Sequence, residues 1–188
     1  MPTAAGWTTL EALRSWLRFD TANPTTTDDS LLVALAAQTV QDFIAYLGRD
    51  IASTSYAEKY DGRGRDCISL DQWPVTSITS VVIDNQTISA SSNGSYGYEF
   101  HDQQLWIIGG VFPQGRRNVS VSYTAGYATI PADLVLACIR QTAYVYRERE
   151  HIGMKSVAVQ GQTISYEGDL LPGVKSCLDK HMRLVVGV

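Results

Sequence analysis

The stretch Asn118-Val-Ser-Val-Ser-Tyr-Thr-Ala-Gly-Tyr-Ala-Thr-Ile-Pro-Ala-Asp-Leu134, continuing as a helical pattern to Arg149, decides the fold. Val119, Val121 and Tyr123 alternate with Ser120, Ser122 and Thr124, which makes one face of an extended segment apolar and predicts a half-buried strand. The strand stops at Gly126. Pro131 has no N–H to lose in a first helical turn, and Asp133 places negative charge near the positive end of the helix dipole, so a helix starts there. Leu134, Cys138, Thr142 and Val145, with Val135, Ile139 and Tyr146, repeat at helical spacing over roughly 19 residues, or about 28 Å. The run Arg147-Glu148-Arg149-Glu150 ends this helix on a charged note, and Gly153 can adopt the left-handed conformation that closes it.

Upstream, two further helices read out of the spacing. Thr8 followed by Glu11 is a capping-box pattern, and Leu10, Leu13, Trp16 and Leu17 fall on one face, predicting a helix near residues 9–18. Asn23 to Thr27 is a polar, proline-containing loop. From Asp28 the ridges Leu31, Leu35, Phe43, Leu47 and Leu32, Ala36, Val40, Ile44 predict a helix over 28–47, closed at Gly48 and paired with the helix of 131–150. Pro172 opens a last helix, about 170–183, with Val174, Leu178 and Met182 on its face.

Between the second and third helices the composition changes. Tyr, Val, Ile, Thr and Ser replace Ala and Leu from about 55 to 125, and Asp61-Gly62, Asn93-Gly94, Gly109-Gly110 and Gln114-Gly115 punctuate the segment. Strands are predicted at Tyr56–Tyr60, Cys67–Leu70, Ile78–Asp84, Tyr98–His101, Leu105–Ile108 and Val119–Tyr123. The fold class expected is therefore α+β: a helical bundle carrying an antiparallel β insertion within one domain of 1–188, followed by a C-terminal arm over 154–188. In that arm, Val157-Ala-Val-Gln-Gly-Gln-Thr-Ile-Ser-Tyr166 reads as a small hairpin turning at Gln160-Gly161, and the tail Leu184-Val-Val-Gly-Val188 is apolar.

The overall balance narrows the function. With 188 residues and 45% apolar content the chain can bury a sizeable core, and a net charge of −4 argues against holding nucleic acid by neutralising phosphates. The odd, widely spaced Cys67, Cys138 and Cys177 read as reduced thiols. No apolar run approaching a membrane span and no signal peptide is expected, so synthesis and residence are cytoplasmic, and Asn85, Asn93 and Asn118 are chance matches to the glycosylation pattern.

Chemistry is harder to find. Gly62-Arg-Gly64-Arg lacks the Lys-Ser/Thr of a phosphate loop, and Asp61 to Asp66 reads as a charged hairpin tip. Gly94-Ser-Tyr-Gly97 is one residue short of a nucleophile elbow, while His101, Asp102 and His151 are too isolated for zinc. No catalytic residue, cofactor or metal is expected. Tyr96, Tyr98, Phe100 and Trp106 could instead form a stacking platform, which supports an alternative reading as a small module binding carbohydrate or another ligand.

Several pieces of the chain resemble one family. Val-Ser-Tyr-Thr-Ala-Gly-Tyr127 followed by Ile-Pro-Ala-Asp-Leu134 and an apolar helix ending in Arg-Glu-Arg149 is similar to the head-tail connector (head completion, or adaptor) proteins of tailed bacteriophages. So are the opening Thr9-Leu-Glu-Ala-Leu-Arg-Ser-Trp-Leu-Arg18, the acidic Asp28-Asp29 and the Tyr46-Leu-Gly-Arg49 that bracket the second helix, Asp71-Gln-Trp-Pro-Val-Thr-Ser-Ile-Thr-Ser-Val81, and Gly110-Val-Phe-Pro-Gln-Gly-Arg-Arg-Asn-Val119. The resemblance implies a virion protein of the neck: a dodecameric ring beneath the portal, bound on its other side by a tail-side stopper or completion protein. DNA would pass its lumen without specific binding, and no membrane is involved. On that reading Arg147, Glu148, Arg149 and Glu150 are candidates for the protomer interface. Val157, Val159, Ile164 and Tyr166 of the hairpin, with Leu184, Val185, Val186 and Val188 of the tail, are candidates for portal binding, the arm becoming ordered there.

Overall fold

A computed structural model describes residues 3–4, 6–18, 28–149, 156–159, 162–165 and 170–182. In chain order its elements are β1 (Thr3–Ala4), β2 (Thr8–Thr9), α1 (Leu10–Leu17), α2 (Asp29–Leu47), β3 (Thr54–Gly62), β4 (Cys67–Ser69), β5 (Val75–Ile83), β6 (Gln86–Ile88), β7 (Gly97–His101), β8 (Gln104–Ile108), β9 (Gly115–Ala125), α3 (Ala132–Glu148), β10 (Ser156–Val159), β11 (Gln162–Ser165) and α4 (Pro172–Lys180). The chain is mixed α+β and divides into two compact units, one of Met1–Gly48 with Ile130–Val188 and one of Arg49–Thr129.

In the helical unit, α1 is capped by Thr9, whose hydroxyl accepts the Ala12 N–H at 3.2 Å. The capping box at Thr8 is thus displaced by one residue: Thr8 is buried in the short strand β2, opposite Ala4. Along α2 the buried stripe is Leu32, Ala36, Thr39, Val40, Phe43 and Leu47, with Leu31 outside it and exposed. Gly48 closes the helix at φ 65°, its N–H on the Ile44 carbonyl, a conformation a residue with a Cβ adopts only at a cost. By length and composition α2 could cross a membrane, contrary to the expectation that no such run exists, but it buries Leu32, Ala36, Val40 and Phe43 within the protein. Helix α3 buries Leu134, Ala137, Cys138, Ile139, Thr142, Ala143 and Tyr146; against α2, Ile139 clusters with Ala36, Ala143 and Tyr146 cluster with Leu32, and the Thr142 hydroxyl meets that of Thr39 at 3.3 Å. Pro131 lies one position before the helix, at the N-cap. Helix α4 starts at Pro172 as expected and ends at Lys180, which leaves Met182 exposed; Val174 and Leu178 are its buried residues. Gly153 lies outside the described residues.

The second unit is two antiparallel sheets, ordered β3-β9-β5-β6 and β4-β8-β7, over one core. Strand β9 supplies Val119, Val121, Tyr123 and Ala125, all buried in alternation as the sequence predicts, and Val81, Ile83, Leu105, Ile107 and Phe112 complete the interior. All six expected strands form, most of them longer than expected, and β6 is added. The punctuation differs. Asp61-Gly62 and Gln114-Gly115 do not turn the chain; Gly62 pairs with Gly115 across a register shift in the β3–β9 ladder. The two-residue connections fall instead at Asp84-Asn85, with φ 49° and 68°, and at Asp102-Gln103, where Asp102 has φ 56°. Nor is 61–66 a hairpin tip, because β3 and β4 lie in different sheets and the loop pairs back on 107–112: Gly64 N donates to the Phe112 carbonyl at 2.9 Å and Ile107 N to that of Asp66 at 2.8 Å.

Candidate interaction surface

The end of α3 is anchored before it is charged. Tyr146 donates its hydroxyl to Asp28, which holds the phenol above its usual value. The Arg149 guanidinium lies 3.9 Å over the Tyr146 ring and donates to the Tyr146 carbonyl at 2.7 Å, with Asp28 3.9 Å away. Of the charged run, Arg149 is thus engaged within its own unit, Arg147 is exposed, Glu148 is half-buried, and Glu150 lies outside the described residues.

In the C-terminal arm the hairpin β10–β11 sets Val157 against Ile164 and Val159 against Gln162. These two strands form a sheet of their own, and no third strand borders it among the described residues. Tyr166 and Leu184, Val185, Val186 and Val188 lie outside those residues. The helix between hairpin and tail is tied down by polar contacts: Tyr46 donates its hydroxyl to Asp179 at 2.6 Å, Leu171 N donates to the buried Gln141 side chain at 3.1 Å, and His181 Nε2 meets Asp133 at 2.7 Å. Asp133 and His181 also stand with Cys177 as three donors of metal-ligand type, a grouping the sequence reading did not find because Asp133 is 44 positions from Cys177.

In the β unit the four aromatics differ in exposure. Tyr96 is 61% exposed and Phe100 is exposed, while Tyr98 and Trp106 are half-buried and Tyr98 packs against the core. The polar chemistry lies elsewhere, around Glu58. Its carboxylate receives the hydroxyls of both Tyr60 and Tyr123, which in turn accept the backbone N–H groups of Asp71 at 3.0 Å and Gln72 at 3.2 Å. Burial first, and then the Glu58 carboxylate, push both phenols well above their usual value. Nearby, Arg49 is 3% exposed, its guanidinium 3.5 Å from the Trp73 ring centroid and donating to the Trp73 carbonyl at 2.6 Å. This arrangement fastens the Asp71-Gln-Trp-Pro loop to the sheet and offers no nucleophile. His101 is exposed beside the turn residue Asp102, and His151 lies outside the described residues.

Residues 8–185 match the head completion protein family. The chain belongs to that family. The resemblance read from its sequence therefore names the right group, and the match spans both units. Among solved structures, the chain is similar to one in the neck of an empty gene transfer agent particle computed with C6 symmetry, at TM-score 0.61 and 17% identity over 100% of this chain and 96% of that one. A chain in the virion of the native gene transfer agent matches at TM-score 0.62 and 16% identity, again over 100% and 96%. One in the neck of the native particle computed with C12 symmetry matches at 0.57 and 16%, over 95% and 93%. At these identities the likeness is one of fold. No curated protein matches the chain.

Proposed function

We propose that this head completion protein is a structural adaptor of the virion neck, assembled as a ring of about twelve copies beneath the portal, extending the DNA channel and receiving a tail-side stopper or completion protein. The observation that carries this is the family match over residues 8–185, joined to an end-to-end likeness of fold with chains in necks computed with C6 and C12 symmetry. In this reading the four helices act as a bundle that packs between neighbouring copies, and both units serve as one adaptor domain. Arg147, Glu148 and Glu150 form the protomer seam, with Arg149 shaped by Asp28 and Tyr146 to present it. Each copy carries −4, so a ring concentrates negative charge around its axis and gives phosphates no reason to dwell in the lumen. The function is positional and calls for no catalytic centre.

The arm is the portal contact. The hairpin β10–β11 is short for an independent sheet, and an added strand on the portal would extend it while the tail from Leu184 to Val188 is buried. Native mass spectrometry of the full chain, alone and mixed with portal rings, tests the assembly: about twelve copies per portal ring are expected. Removing 184–188 should weaken that association and leave thermal unfolding of the free chain nearly unchanged. A truncated chain that binds the portal normally yet unfolds several degrees lower would assign the tail to the protein's own core.

A further inference from the structure

The first turn of α3 and the last turn of α4 bring together three unlike donors. Cys177 and His181 are four residues apart, one helical turn, so both side chains lie on the same face of α4. Asp133 comes from the neighbouring helix, and one ligand atom from each of the three lies within 4.8 Å of the other two. Two of the groups already touch, His181 Nε2 and Asp133 Oδ2 at 2.7 Å. The geometry points to a divalent transition-metal site, best suited to zinc, formed by Asp133, Cys177 and His181.

The donor set decides the metal. A thiolate and an imidazole select zinc over magnesium or calcium, which require oxygen shells. Zinc bound by three protein ligands keeps a fourth, open position for water. Charge also balances: a carboxylate, a thiolate and a neutral imidazole sum to −2 against the ion's +2. The thiol must give up its proton on binding, and that proton leaves to solvent. Metal–nitrogen and metal–oxygen bonds of about 2.0–2.2 Å place tetrahedral ligand atoms roughly 3.4 Å apart, so Asp133 and His181 must separate by less than about 1 Å. Asp133 has that freedom, because half of its side chain is exposed while His181 is held at 17%. The site's consequence is mechanical, a cross-link from the start of α3 to the end of α4, and it does not depend on the ring assembly.

The test uses the full chain freed of metal with a chelator and titrated with zinc chloride and cobalt chloride. One equivalent of zinc per chain is expected by calorimetry. Cobalt should give the visible bands of a tetrahedral ion and the near-ultraviolet thiolate-to-cobalt band. Cys177→Ser should abolish the thiolate band, and His181→Gln and Asp133→Asn should each cost most of the zinc binding, while His101→Gln should change nothing. The wild-type cobalt spectrum alone can sink the site, because a folded chain without the thiolate band has no metal bound at Cys177. Undiminished zinc binding in folded Cys177→Ser and His181→Gln chains would equally overturn it.

Discussion

Arg14 on α1 grips Asp29 on α2 with two parallel hydrogen bonds, Nε to Oδ1 at 2.9 Å and Nη2 to Oδ2, both side chains less than a quarter exposed. A guanidinium fork on a carboxylate is directional as well as attractive, and Asp29 is also the first-turn acid of its helix. Asp29→Ala is expected to lower stability by about 1–2 kcal/mol. The checking measurement is a double-mutant cycle with Arg14→Met under chemical denaturation: a coupling below about 0.3 kcal/mol would mean the pair is no more than a surface contact.

Gly62→Ala should be among the most damaging single-methyl changes in the chain. The added Cβ would sit 1.9 Å from the Pro113 carbonyl oxygen, while Asn118 already fills the gap by accepting the Gly62 N–H at 2.8 Å and donating to Pro113 at 3.0 Å. A loss of at least about 2–3 kcal/mol is expected, since backbone must move. Gly173→Ala is the opposite case, a helical position with nothing within 4 Å of the new methyl, and should gain about 0.5–1 kcal/mol. Amide exchange in each unit distinguishes the two outcomes, and a neutral Gly62→Ala would refute the packing described.

The tyrosines around Glu58 make the β unit sensitive to alkali. Tyr60 and Tyr123 are raised by burial and by Glu58, and Tyr56, raised by burial and by Asp50, reaches about 12. An acid whose folded pKa lies above its unfolded value binds more protons when folded, so its contribution is complete below about pH 10 and is lost as pH rises beyond it. The buried Tyr123, while still neutral there, lowers stability by up to about 1.4 kcal/mol per pH unit, and the half-buried Tyr56 and Tyr60 add less. Phenolate absorbance should therefore rise late and together with loss of sheet signal in circular dichroism. Tyr123→Phe should remove part of that dependence, and an early, unfolding-free titration of all ten tyrosines would contradict the account.

Arg149 and Arg147 should behave differently although they are neighbours in one charged run. Arg149→Ser removes the stacking on Tyr146 and the bond to its carbonyl, with an expected cost of about 0.5–1 kcal/mol to the isolated chain. Arg147→Ser, at an exposed position, should leave the isolated chain unchanged and alter only assembled rings. Equal effects of the two on thermal unfolding of the isolated chain would break the distinction.

Periodicity carried the reading wherever one face of an element is buried. Val119, Val121 and Tyr123 alternate because β9 has a core side, and Leu134, Cys138 and Thr142 recur because α3 has one. Turns were less legible. Asp61-Gly62 looks like a hairpin signal, yet that glycine is needed for close approach to Pro113 and not for reversal, and nothing in a local window separates the two uses. The polar ties were invisible for a different reason. Glu58 to Tyr123 spans 65 positions and Tyr46 to Asp179 spans 133, so neither leaves a trace in spacing. The candidate ligands Asp133, Cys177 and His181 show the same limit, one helical pair being local and the third member distant.

The β unit interrupts the helical unit between α2 and α3, and its two ends are hydrogen-bonded to each other, Tyr127 N to the Ile51 carbonyl at 2.8 Å and Ser53 N to that of Tyr127 at 3.1 Å. Before those bonds form, α2 and α3 must meet across a loop of about 80 residues. Afterwards the effective loop is nearer 10, and three halvings of loop length recover about 2 kcal/mol of closure entropy. Pairing of the insertion's ends therefore lowers the entropic cost of bringing the two helices together. Weakening the Ile51–Tyr127 pairing should slow formation of a helical unit to which neither residue belongs.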